Sequence, residues 1–180
     1  MTDMQERNES AANRLCKACG LCCTGHLFLW TKLRSAEMDS IEELGLKVFR
    51  SVPSQRGFNQ PCPLWQGQCT IYTSASYPRF CHTYKCALLK KLLDETTSLE
   101  DALRKVEQAK QKIHELEALL PASHETNFRE RLVAHLQLIG GAKQSGQQDD
   151  DEFRQRADAL LALYAEVFGV NDLVEKSIES

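Results

Sequence analysis

The hydrophobic pattern of this chain changes character near Ala87. From there on, apolar residues recur at a helical period. Leu99, Ala102, Val106, Ala109, Ile113, Leu116 and Leu120 alternate by three and four, a narrow seam sustained for three heptads. Ser98 precedes it as an N-cap with acidic Asp101 three residues on, and Pro121 ends it. A second helix is expected from about Asn127 to Ile139, with Phe128, Leu132, Leu136 and Ile139 on one face and Gly140-Gly141 as its stop. Residues 141–151 read as a flexible linker. A third helix is expected from about Glu152 to Phe168, turning Phe153, Ala157, Leu160, Tyr164 and Val167 inward. The run Asp149 to Glu152 favours its start through the helix dipole. Gly169 caps it, and a short helix is expected from Asp172. The seam suits an antiparallel helical hairpin or bundle within one chain, the alternative being a dimeric coiled coil.

Before Ala87 few long apolar faces exist. Four of the five prolines fall there, so loops and short elements are expected. Leu27-Phe28-Leu29-Trp30 and Thr70-Ile71-Tyr72 read as short strands. Ser35 to Leu44 reads as a short helix ending at Gly45. The expected organisation is a mobile leader over residues 1–13, a Cys-rich metal-binding module over 14–95, and a helical region over 96–180. The fold class is mainly α: an irregular Cys-rich metal-binding module with short strands, followed by a helical hairpin or bundle tail.

Composition narrows the function. The formal net charge of -3 and the absence of a Lys/Arg run argue against nucleic acid, which needs a basic face. No stretch of about 18 apolar residues is present, so no membrane span is expected. The polar N-terminus has no signal-like apolar segment, which points to the cytoplasm. Disulfides do not persist there.

The cysteines carry the chemistry. All eight lie in the first half: Cys16, Cys19, Cys22, Cys23, Cys62, Cys69, Cys81 and Cys86. Clustered thiols in a reducing compartment read as metal ligands, with stable disulfides and free redox thiols as alternatives. The loop-rich module needs a staple, and bound metal supplies one. The run Cys16-x-x-Cys19-x-x-Cys22 is similar to the local ligand run of a [4Fe–4S] cluster, with a fourth ligand from Cys62, Cys69, Cys81 or Cys86. Cys23 adjoins Cys22, and adjacent side chains diverge, so the pair suits two centres of four thiols each. One site with surplus thiols is the alternative. His26 and His82 are candidate substitutes for a thiolate, whereas His114, His124 and His135 read as surface or packing residues. Gly20 and Gly25 let backbone approach the centre. Phe28, Trp30, Trp65, Tyr72 and Phe80 are candidate shields around it. No nucleotide-binding glycine motif, zinc-protease motif or radical-chemistry C-x₃-C-x₂-C run occurs.

Four segments carry a resemblance: Cys16 to Cys23 with Thr24-Gly25-His26-Leu27-Phe28, then Gln60-Pro61-Cys62-Pro63-Leu64, then Cys69-Thr70-Ile71-Tyr72, then Tyr77-Pro78-Arg79-Phe80-Cys81 through Cys86. Together they resemble the bacterial cysteine-cluster family named for its C-x-x-C-x-x-C-C motif, described as a zinc- or iron-chelating domain. That family includes relatives of flagellin lysine N-methylase. The resemblance covers roughly residues 15–95 and implies that all eight cysteines are candidate ligands. One departure is that Tyr77-Pro78 stands where the family usually has Arg-Pro, and His82 follows Cys81 where the family often has Arg.

The first expectation is therefore a cytoplasmic metal-binding protein with an iron–sulfur cluster or zinc, the former suited to redox or electron transfer. A protein-lysine methylase relative or metal-dependent oxidoreductase is the enzyme alternative. A zinc-stapled scaffold that binds a protein partner through its helices is the third.

Overall fold

The computed structural model describes residues 9–121, 127–141 and 147–171. The architecture is mainly helical, with one small sheet. Helix α1 (Ala11–Cys19) is capped by Ser10, whose hydroxyl accepts from the Asn13 amide at 3.2 Å, and it stops at Gly20 in the left-handed region. It starts inside the segment expected to be a mobile leader, of which residues 1–8 lie outside the described residues. Strand β1 (Trp30–Lys32) starts where the predicted strand Leu27–Trp30 was to end. A 3-10 turn at Ser35–Glu37 leads into α2 (Met38–Glu43), which together match the expected short helix before Gly45.

Strands β2 (Val48–Phe49) and β3 (Gly57–Asn59) complete an antiparallel sheet of order β1-β3-β2. Phe58 of β3 stands opposite both Thr31 and Val48. No strand forms at Thr70–Tyr72, which lies in turns beside an isolated bridge between Trp65 and Cys69. A strand without a neighbour leaves its backbone groups unpaired, and this segment has none.

Helices α3 (Arg79–Thr83) and α4 (Ala87–Leu93) lead into α5 (Leu99–Leu119). The Ser98 hydroxyl caps α5 by accepting from the Asp101 amide at 3.0 Å. Helices α6 (Phe128–Gly141) and α7 (Gln147–Leu163) follow, then a wider π-type turn over Tyr164–Phe168 that Gly169 closes. Helix α7 reaches back into the segment read as linker, with Asp149 and Asp150 in its first turn. The expected helix from Asp172 and the expected surface residue His124 lie outside the described residues.

The α5 seam is satisfied within the chain. Ala102, Val106, Ala109, Ile113, Leu116 and Leu120 are all buried, and α5 packs on α1, α4 and α7. The resulting core also takes in Leu15, Leu21, Leu27, Leu88 and Leu89, so the helical tail and much of the cysteine region share one interior. A second, smaller core under the sheet holds Leu33, Met38, Ile41, Leu46 and Phe58.

Candidate metal centre

All eight cysteines are among the described residues, none is in a disulfide, and each side chain is partly buried. Cys16 and Cys19 lie three residues apart on α1, and hence on one face of it. The turn after Gly20 brings Cys22 and Cys23 back beneath that helix, held by the Thr24 amide donating to the Gly20 carbonyl at 2.9 Å. Cys86 is the N-cap of α4, its Sγ accepting from the Leu89 amide at 3.4 Å. Because α1 packs on α4, Cys86 reaches Cys16, Cys19 and Cys22 despite its distance in sequence.

The other four come from the sheet side. Cys62 follows β3, and its amide donates to the Cys23 carbonyl at 2.7 Å. Cys69 sits in the bridge to Trp65, and Cys81 rides on α3. Seven of the eight, all except Cys62, line a single cavity of about 90 Å³.

The walls of this cavity are apolar and aromatic. Phe28, Phe80 and Tyr84 form a ring cluster with centroids 4.8 to 5.9 Å apart. Trp65, Tyr72 and Tyr77 close other sides. Of the five shielding aromatics expected from sequence, Trp30 is elsewhere: it packs on Phe49 at 5.6 Å across the sheet. Tyr77 and Tyr84 were not anticipated. Their spacing from Cys81 and Cys86 (four and two residues) was the available signal.

Burial opposes thiolate formation at every cysteine. It pushes Cys16 up to about 11, and Cys19 and Cys81 up to about 12, with neighbouring thiols adding to the rise. Cys22 and Cys23 are raised as well, burial again being the first cause. Backbone amides pull the other way: that of Leu21 on Cys19, Leu64 on Cys62, Ile71 on Cys69 and Leu89 on Cys86. Thiols packed this closely resist ionisation by themselves, and a bound cation supplies the compensating charge.

The histidines stand apart from this set. His26 Nδ1 pairs with the Thr24 hydroxyl at 2.6 Å, and its ring lies against Phe128 at 5.0 Å. His82 is exposed beside Tyr77. His114 is exposed, and His135 packs on Phe153.

The donor chemistry fits a soft or borderline metal: eight thiols with aromatic walls around them. Among the described residues, no three His, Cys, Asp or Glu side chains converge as a single ion would require.

Fold and site thus define a thiol-rich, mainly helical chelating protein. The model of the CxxCxxCC family, described as a putative zinc- or iron-chelating domain, matches residues 15–112, and the chain belongs to this family. The match reaches past the expected residue 95 into the middle of α5, as the shared core would require. No curated protein and no solved structure matches. No helix among the described residues is long and apolar enough to cross a membrane.

Proposed function

We propose that the protein is an iron–sulfur protein of a reducing compartment, the cytoplasm, whose cysteine thiolates hold the metal and whose role is electron transfer or redox sensing. The observation that carries this reading is the cavity rimmed by seven thiols and walled by aromatic rings.

A bound iron–sulfur centre supplies one-electron chemistry at a potential that its surroundings set. The chain's own residues provide those surroundings. Phe28, Phe80 and Tyr84 keep water from one side of the thiols. The amides of Leu21, Leu64, Ile71 and Leu89 face sulfur, and such hydrogen bonds raise a reduction potential. The start of α4 presents the Leu89 amide to Cys86 Sγ at 3.4 Å, which offsets part of the rise that burial imposes on this thiol.

The test is metal and sulfide analysis with an absorption spectrum of protein purified without oxygen. The expected result is iron and inorganic sulfide with a broad band near about 400 nm that bleaches on reduction. Colourless protein with zinc alone would overturn the iron–sulfur reading. It would leave a zinc-stapled scaffold, with the helices as the surface to test for a partner.

A further inference from the structure

Five of the cysteines divide by the core they pack against. Cys16, Cys19, Cys22 and Cys86 pack on the larger helical core. Cys62 packs on the smaller core under the sheet, and its amide is bonded to the Cys23 carbonyl. Secondary structure divides them in the same way. The first four come from α1, the turn after it and the start of α4. Cys62, Cys69 and Cys81 come from the loops after β3 and from α3.

We infer that the chain holds two separate four-thiolate metal sites, Cys16–Cys19–Cys22–Cys86 and Cys23–Cys62–Cys69–Cys81, joined at the Cys22–Cys23 peptide bond. This rests on the reading of the cysteines as metal ligands, and it holds for either metal. Four thiolates complete a tetrahedral zinc or a [4Fe–4S] centre alike, so eight thiols leave none spare. The vicinal pair follows from the division: neighbouring side chains diverge, so one strand of backbone serves both sites. Two such sites sharing a peptide bond are close enough to act on one another.

The decisive variants change adjacent residues. Cys22→Ser and Cys23→Ser, in the full-length chain purified without oxygen, are compared by native mass spectrometry and by mapping which thiols a maleimide labels. Each variant is expected to keep about half of the wild-type metal. Labelling is expected at Cys16, Cys19 and Cys86 in the first, and at Cys62, Cys69 and Cys81 in the second. Loss of all metal in both variants with every remaining thiol labelled in a chain that keeps its helical circular dichroism, or full metal in both, would overturn the two-site assignment. If either variant fails to fold, wild-type protein is stripped partway with a chelator. A half-loaded species whose labelled thiols all belong to one set supports the division, and labels mixed across the sets overturn it. Two zinc ions per chain would leave the division standing while removing the iron–sulfur reading. A wild-type chain that takes up no metal would overturn both.

Discussion

Gly20 lies directly against the indole of Trp65: a Cβ built on Gly20 would stand 2.1 Å from the ring. Gly20 also has φ 68°, the left-handed cap that ends α1. The close approach turns the chain from Cys19 to Cys22 under the indole, and it fixes where the vicinal cysteines face. Gly20→Ala is therefore expected to lose about 1–2 kcal/mol from backbone strain and more from the collision. Urea denaturation measures the total. Trp65→Ala in the same chain removes only the collision, so the double variant should lose less than the sum of the singles. Simple additivity would mean that the ring is not what the glycine accommodates.

Leu116 is completely buried on α5, whereas Leu138 on α6 is 68% exposed. Leu116→Ala leaves a hole that the packed core fills only partly, at a cost of about 2–5 kcal/mol. Leu138→Ala should stay within about 0.5 kcal/mol of the parent. Equal shifts in denaturation midpoint would contradict the seam as the centre of the core.

That seam was legible in sequence because burial on one face of a long helix writes a repeat into the chain. Ser98, Pro121 and Gly169 were legible for the same local reason, as start and stop signals. Helix α1 was missed because it is short and begins among the polar residues that read as a leader. Cys16 and Cys19 also looked like part of a loop run, although three-residue spacing fits a helix face equally well. Thr70–Tyr72 has strand-like residues but no partner to pair with, and pairing is a tertiary matter. The start of α7 was placed late because Gln147 and the acidic residues after it carry no apolar signal. For the site, sequence supplied the donor type and the divergence of Cys22 from Cys23. It could not supply which distant cysteine approaches Cys16, since only the packing of α1 on α4 brings Cys86 there.

Asn127 ties the start of α6 to the loop after β3. Its Nδ2 donates to the Gln60 carbonyl at 3.3 Å, and its Oδ1 accepts from the Arg129 amide at 2.8 Å. It also covers Gly25, where an added Cβ would meet Asn127 Nδ2 at 2.7 Å. Asn127→Ala removes both bonds and should cost about 1–3 kcal/mol. Asn127→Asp keeps the acceptor and loses the donor, so it should fall between wild type and alanine in thermal denaturation. An aspartate variant as unstable as the alanine would assign the whole effect to the Gln60 contact.

Glu117 carries a pH signature. Its contact with His26, at 3.7 Å, holds its carboxyl below the usual 4.5, with Arg131 and His114 adding smaller pulls. That distance is longer than a hydrogen bond, so the attraction is electrostatic. A carboxyl depressed on folding stabilises the fold above its unfolded value, and the contribution is lost as pH falls through the folded value. Carbon-detected NMR should show Glu117 titrating below the usual value in the parent and moving back up in His26→Gln. No movement would mean that His26 does not set it.

Metal removal should act unevenly, because the two cores differ in what supports them. Ala102, Val106, Ala109 and Leu116 are buried by helix packing that includes α7, an element without cysteine. The smaller core has five buried apolar residues under a sheet with strands of two or three residues, which is marginal by itself. In the proposed assignment, metal bound by Cys62, Cys69 and Cys81 ties its loops together. Chelation is expected to speed amide exchange over residues 57–62 and 69–81 by about tenfold or more, about 1.4 kcal/mol of lost local stability. Residues 102–116 of α5 should keep their protection. Exchange measured by mass spectrometry with and without the chelator decides it: equal loss along the whole chain would mean that the metal holds both cores, and no change in the loops would mean that the thiols do not staple them.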